Sequence, residues 1–230
     1  MTFLPRHIVN QDWILGVLLL LLLFLALLLS SYRSLIYKML MATFFKQYYI
    51  ILQREENEIY RKVSMFLNFI SFISIALFFY FLFEKYRWNQ LSIHGFSFFL
   101  LILAVVLLVV LLQYGIVSFT GWIFKAQSES REFQFNILLT YKLLGVFLIP
   151  LLFFIQYSVS TGPFLFLKIG LFLLVLVSIK RYFVGFQLGF SITSFPKIYS
   201  FLYICTLELL PLAILVKEYE AEFLMKILGI

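Results

Sequence analysis

Apolar positions in this chain come in long unbroken runs and not in alternation. Six windows of roughly 20 residues stand out: 13–32, 63–83, 96–117, 135–157, 164–184 and 198–216. A run of that length matches the hydrocarbon thickness of a bilayer when coiled as an α-helix. Lipid-facing strands would alternate with polar lumen residues, so continuous apolarity predicts helices and excludes a barrel. The expected fold is therefore all-α, a single polytopic membrane bundle of about six transmembrane helices over residues 1–230. The fourth and fifth windows are separated by only "SVSTGP" and read as a helical hairpin. The first run is too long for a signal-peptide core and no small-x-small cleavage site follows it, so it is expected to stay as a span.

One long connection behaves differently. In residues 33–62, Leu35, Ile36, Met39, Leu40, Phe44, Tyr48, Ile51 and Leu52 recur at spacings near three and four. That is an amphipathic helical pattern, with Lys38, Lys46 and Arg54 available for the wet face. Three placements fit it: an interfacial helix with its cations on anionic lipid, an extension of the first two spans, or a surface that docks a partner.

Charge sets an orientation. The connections after the first, third and fifth windows hold eleven Lys and Arg: Arg33, Lys38, Lys46, Arg54, Arg61, Lys62, Lys125, Arg131, Lys180, Arg181 and Lys197. The opposite side holds five: Arg6, Lys85, Arg87, Lys217 and Lys226. Cytoplasmic connections carry the excess of cations, so both termini are expected on the periplasmic side. The net charge of +7 thus follows from basic residues flanking apolar runs, which argues for head-group contact and against nucleic acid. Composition agrees: 63% hydrophobic and 13% charged residues, with a mean hydropathy of +1.04, leave lipid as the main solvent. A single cysteine, Cys205, excludes an intramolecular disulfide.

Candidate chemistry is sparse. No G-x-S-x-G, H-E-x-x-H, Walker loop or G-x-G-x-x-G occurs, and Asp12 is the one aspartate. No cofactor is implied, and the chain leans away from an enzyme. Glu55 and Glu58 have the i, i+3 spacing of a carboxylate metal motif. Such sites need histidine from a second helix, and His7 and His94 fall on the opposite side, so no metal is expected. The cluster Arg54, Glu55, Glu56 and Asn57 reads instead as a cytoplasmic docking surface.

The informative stretch is "YICTLELLPLAIL", 203–215, which places Glu208 inside the sixth window with Pro211 three residues on. A carboxylate at mid-bilayer costs at least about 2.5–3.5 kcal/mol and needs a partner. Lys142 in the fourth window is the candidate, at a depth within roughly 5 Å of Glu208 at 1.5 Å per residue. Pro211 frees the carbonyl of residue 207, which leaves an acceptor for a nearby donor. Glu208, Lys142 and Pro211 accordingly read as a structural lock or as a proton or ion relay. Alternatively, Glu208 meets a charge on another subunit. Asn68, Gln113, Asn136, Gln156 and Gln187 are further polar residues in or beside the windows.

At "DWILG" (12–16), "REEN" (54–57), Phe135 and Asn136 with Lys142, "LLGVFLIPLL" (143–152) and "YICTLELLPL" (203–212), the chain resembles an uncharacterised domain-of-unknown-function family of multi-span inner-membrane proteins from Bacteroidota. The resemblance covers essentially the whole chain. It implies location and architecture and carries over no catalytic residue. It also implies a two-membrane envelope, where secretion, gliding or glycan-lipid machinery would supply partners. The expected function is a non-enzymatic scaffold, assembly or accessory subunit of such a complex. The alternatives are a small proton-coupled transporter or channel using Glu208, and a lipid-handling enzyme or flippase with 33–62 at head-group level.

Overall fold

The computed structural model describes residues 12–43, 45–54, 58–85, 95–123, 125, 127–158 and 162–191. Among these the regular structure is entirely α-helical, in six helices: α1 (Asp12–Ala42), α2 (Lys46–Arg54), α3 (Glu58–Lys85), α4 (Phe96–Ile123), α5 (Gln127–Tyr157) and α6 (Gly162–Ser191). α1, α3, α4 and the Ser130–Tyr157 part of α5 are long and apolar enough to cross a membrane, and the protein is membrane-embedded. The first four windows each fall within one of these helices. The fifth, 164–184, falls within α6. The sixth window, 198–216, lies outside the described residues.

The chain divides into two compact units. The first comprises the described residues of Met1–Leu111 and Phe135–Val177, the second those of Leu112–Gln134 and Ser178–Ile230. In the first unit α3 and α5 form the interior. Their apolar windows are 61% and 56% buried, against 22% for α1 and for α4. With lipid as the solvent, the exposed leucines of α1, such as Leu19, Leu23 and Leu27, need no protein cover.

Aromatic contacts hold both ends of this unit. At one end Trp13 meets Tyr80 at 5.2 Å, Phe99 at 5.4 Å and Phe96 at 5.5 Å. That brings the start of α1, the end of α3 and the start of α4 together, as alternating spans require. At the other end Phe135 of α5 packs on Tyr49 of α2 at 5.3 Å and on Tyr60 of α3 at 6.5 Å. The edge-to-face pairs among these, Trp13 with Tyr80 and Phe96 and Tyr49 with Phe135, add about 0.5–1.5 kcal/mol each beyond area burial.

The connection 33–62 is not one helix. α1 runs on past its first span and bends at Tyr32, whose φ of −133° and ψ of 33° are non-helical. Its last turns, the nine-residue α2 and the start of α3 then follow in sequence. Much of the predicted apolar stripe faces protein: Ile36, Met39 and Leu52 are buried with Leu21, Leu25, Leu67, Ile70, Leu139 and Ile149, and Leu35, Leu40 and Tyr48 are half-buried against them. Ile51 is exposed, whereas Ala42 and Tyr49, outside the stripe, are buried in the same cluster. Arg33, Ser34 and Tyr37 are exposed. The amphipathic pattern is therefore largely satisfied against the bundle.

Candidate functional site

An α-helix brings residues three and four apart onto one face. On α3, Ser64, Asn68 and Ser71 follow that spacing within its apolar stretch, and the face they share meets α5 at Lys142 and Gly145. Contacts at both ends establish this. Lys142 Nζ donates to Ser64 Oγ at 2.6 Å, and Ser71 Oγ reaches the Lys142 carbonyl at 3.5 Å. Lys142 is 2% exposed, a cation buried in the interior of the first unit.

The rest of the seam returns its polarity to the backbone. Ser71 Oγ donates to the Leu67 carbonyl at 2.8 Å and Ser74 Oγ to the Ile70 carbonyl at 2.9 Å, so both fully buried hydroxyls are satisfied within their own helix. Two residues before Lys142 on α5, Thr140 Oγ1 donates one turn back to the Asn136 carbonyl at 2.8 Å. Two groups stay open. An ammonium has three protons to donate, and among the described residues Ser64 takes one of them. Asn68 Oδ1 is buried with no hydrogen-bond partner among those residues.

The helices approach closely here because both contribute small residues. A Cβ on Gly145 would overlap the Cα, Cβ and Oγ of Ser71, so any side chain at 145 would force α3 and α5 apart. A second glycine plays the same part for α6, where a Cβ on Gly170 would run into the ring of Phe78. Small residues at crossing points are how helices pack when no hydrophobic effect drives them together in lipid. Chemically the seam combines a dry contact, a buried cation and an unused amide oxygen. It suits a carboxylate or carboxylic acid arriving from another segment.

Of the residues singled out from sequence, Lys142 is placed, and at the centre of this seam. Glu208 and Pro211 lie outside the described residues, as do Glu55, Glu56 and Asn57. Arg54 ends α2, and its side chain is outside the described set. No group of three or more His, Cys, Asp or Glu side chains that would hold a metal ion occurs among the described residues. Ser64, Ser71 and Gly145 were not singled out by sequence reasoning. The i, i+4, i+7 recurrence of Ser64, Asn68 and Ser71 was the signal available.

The sequence profile described as "Domain of unknown function (DUF4271)" matches residues 14–218, nearly the whole chain, and the chain belongs to that family. Neither the curated proteins nor the solved structures include a match.

Proposed function

We propose that this member of the DUF4271 family is a non-enzymatic, six-span protein of the bacterial inner membrane, with both termini periplasmic. It serves as a scaffold, assembly or accessory subunit of a cell-envelope complex, in the secretion, gliding or glycan-lipid machinery of a Bacteroidota envelope. In this reading α6 is the fifth span and 198–216 the sixth, and Glu208 is the carboxylate that completes the Lys142 seam. Arg54, Glu55, Glu56 and Asn57 form the cytoplasmic docking surface.

The observation that carries the reading is the α3–α5 seam itself. The hydroxyls of Ser71 and Ser74 are tied to their own helix, Ser64 receives the buried Lys142 across the seam, and its small residues set a helix crossing. Those are properties of a rigid structural element. The test is affinity purification of the full chain from native membranes in mild detergent, wild type beside Glu208→Gln and beside a charge-neutral Arg54/Glu55/Glu56 triple variant. Co-purification of one envelope complex with wild type, lost in the triple variant, is the expected result. A solitary protein in every case sinks the scaffold reading.

A second reading, proton-coupled transport, draws on one observation: among the described residues Lys142 and Asn68 Oδ1 leave donor and acceptor capacity unused, and intramembrane ionisable groups commonly mark ion pathways. It requires Glu208→Gln to fold normally and to lose transport. Degradation of that variant favours the lock.

A further inference from the structure

The second unit contains a feature unrelated to the Lys142 seam. The last turns of α4 and the first turns of α5 enclose an open cleft of about 670 Å³. Tyr114, Ser118, Phe119 and Trp122 form one wall, and Gln127, Ser130, Arg131 and Gln134 the other. Gln134 in its lining is 6% exposed, and its Nε2 donates to the Tyr114 carbonyl at 3.2 Å and ties the two helices together. Between the two helices Lys125 has a φ of 52°, in the left-handed region.

The depth of this cleft follows from length. α4 has 28 residues, about 42 Å at 1.5 Å per residue, whereas the hydrocarbon core is about 30 Å thick. Its final turns therefore extend beyond the acyl region, and the apolar windows end at 117 on α4 and begin at 135 on α5. Ser118, Phe119, Trp122, Ser130 and Arg131 all lie in that interval, at head-group level. The side chains match the depth. Phe119 and Trp122 are 59% and 67% exposed and stack at 6.3 Å, like the aromatic residues that anchor proteins in the interface. Leu112, one turn-pair below Phe119 on the same face, is 54% exposed and continues the wall towards the acyl region.

Arg131 is the one charged residue in the lining. Its Nε donates to the Gln127 carbonyl at 3.3 Å, which holds the guanidinium at the rim and leaves its terminal amino groups for a ligand. A planar guanidinium pairs bidentately with two oxygens of a phosphate. One cation matches one phosphodiester monoanion, with the hydroxyls of Ser118 and Ser130 as neutral donors beside it. We infer that the α4–α5 cleft is a binding site for one glycerophospholipid, its phosphodiester on Arg131 and its glycerol and upper acyl chains against Phe119, Trp122 and Leu112.

The test is native mass spectrometry of the full chain released from nanodiscs of phosphatidylethanolamine and phosphatidylglycerol. Wild type is compared with Arg131→Gln and with Ser118→Phe, which fills the cleft without altering charge. Equal elution volumes and helicity establish that all three fold alike. Wild type is expected to retain one phospholipid per chain through delipidation, and each variant to show at least a tenfold lower occupancy. Equal occupancy in the three proteins, or none in wild type, overturns the inference. Inorganic phosphate and soluble glycerophosphoethanolamine at millimolar concentration are the second arm. Failure to displace the lipid supports an acyl-anchored site, and displacement shows a water-side phosphate site and overturns it.

Discussion

Lys142 is the buried cation at which Ser64 and Ser71 of α3 meet α5. A buried charge that loses its partner is costly, whereas removal of both members of a pair is much less so. If Glu208 completes the seam, Lys142→Met alone lowers stability by about 3 kcal/mol, and Lys142→Met combined with Glu208→Gln recovers most of that loss. Thermal unfolding of the four proteins of this cycle in one detergent measures the coupling, and strict additivity would remove Glu208 from the seam. Ser64→Ala removes a hydroxyl hydrogen-bonded to a charged group and is expected to cost about 2 kcal/mol in the same assay. Gly145→Ala is a different kind of lesion, because its methyl group meets the Cα of Ser71 as well as its side chain. It should destabilise by about 1–3 kcal/mol through overpacking, and Ser71→Gly should relieve this only in part, since the backbone overlap persists.

Among the elements, the tract after the bend at Tyr32 shows how a periodic pattern can identify a helix and leave its neighbour open. Ile36 and Met39 are each 1% exposed in a protein core, while Tyr37 between them is 53% exposed. A carboxylate placed on the buried face has no water and no partner, so Met39→Asp should destabilise by several kcal/mol. Tyr37→Ser on the open face should stay within about 0.5 kcal/mol. Chemical denaturation of the two variants distinguishes this packing from a tract whose apolar stripe lies in lipid, which would tolerate Met39→Asp far better near the head groups. The bend also explains why α1 and α3 remain neighbours on both sides of residue 32, with Leu21 and Leu25 before it and Ile36 and Met39 after it in one cluster.

At the scale of the molecule, the alternation of helix ends makes a topological prediction. In a Cys205→Ser background, a cysteine at Lys125, in the α4–α5 turn, is expected to react only with reagent applied from the cytoplasmic side. A cysteine at Ser158, after α5, is expected to react only from the periplasmic side. Labelling of intact cells against inverted vesicles with a membrane-impermeant maleimide reads this directly, and the reverse pattern would invert the orientation drawn from Lys and Arg placement. The helices themselves were legible because hydrophobicity is a local property: α1, α3, α4 and α5 each contain the apolar window expected of them, and α6 contains the fifth. Part of the seam was legible too. Lys142 announced itself as a cation in an apolar run, but Ser64 and Ser71 are ordinary helical residues until a second helix arrives. A serine that bonds its own backbone and one that holds a lysine 78 positions away have the same local sequence signature.

The sequence by itself determined the solvent, the helical class and where the apolar stretch of each described long helix lies, because each depends on side chains within a single 20-residue stretch and on the thickness of a bilayer. It also determined which residues would be expensive to bury. Tertiary structure alone decided that much of the amphipathic stripe at 36–52 faces protein, that Ser64 receives Lys142, that Gly145 lets α3 and α5 approach, and that α4 and α5 part to leave a cleft at Arg131. These depend on which helix faces which. In lipid that choice rests on small residues, close contact and a few hydrogen bonds at the crossing, and a hydropathy pattern does not contain it.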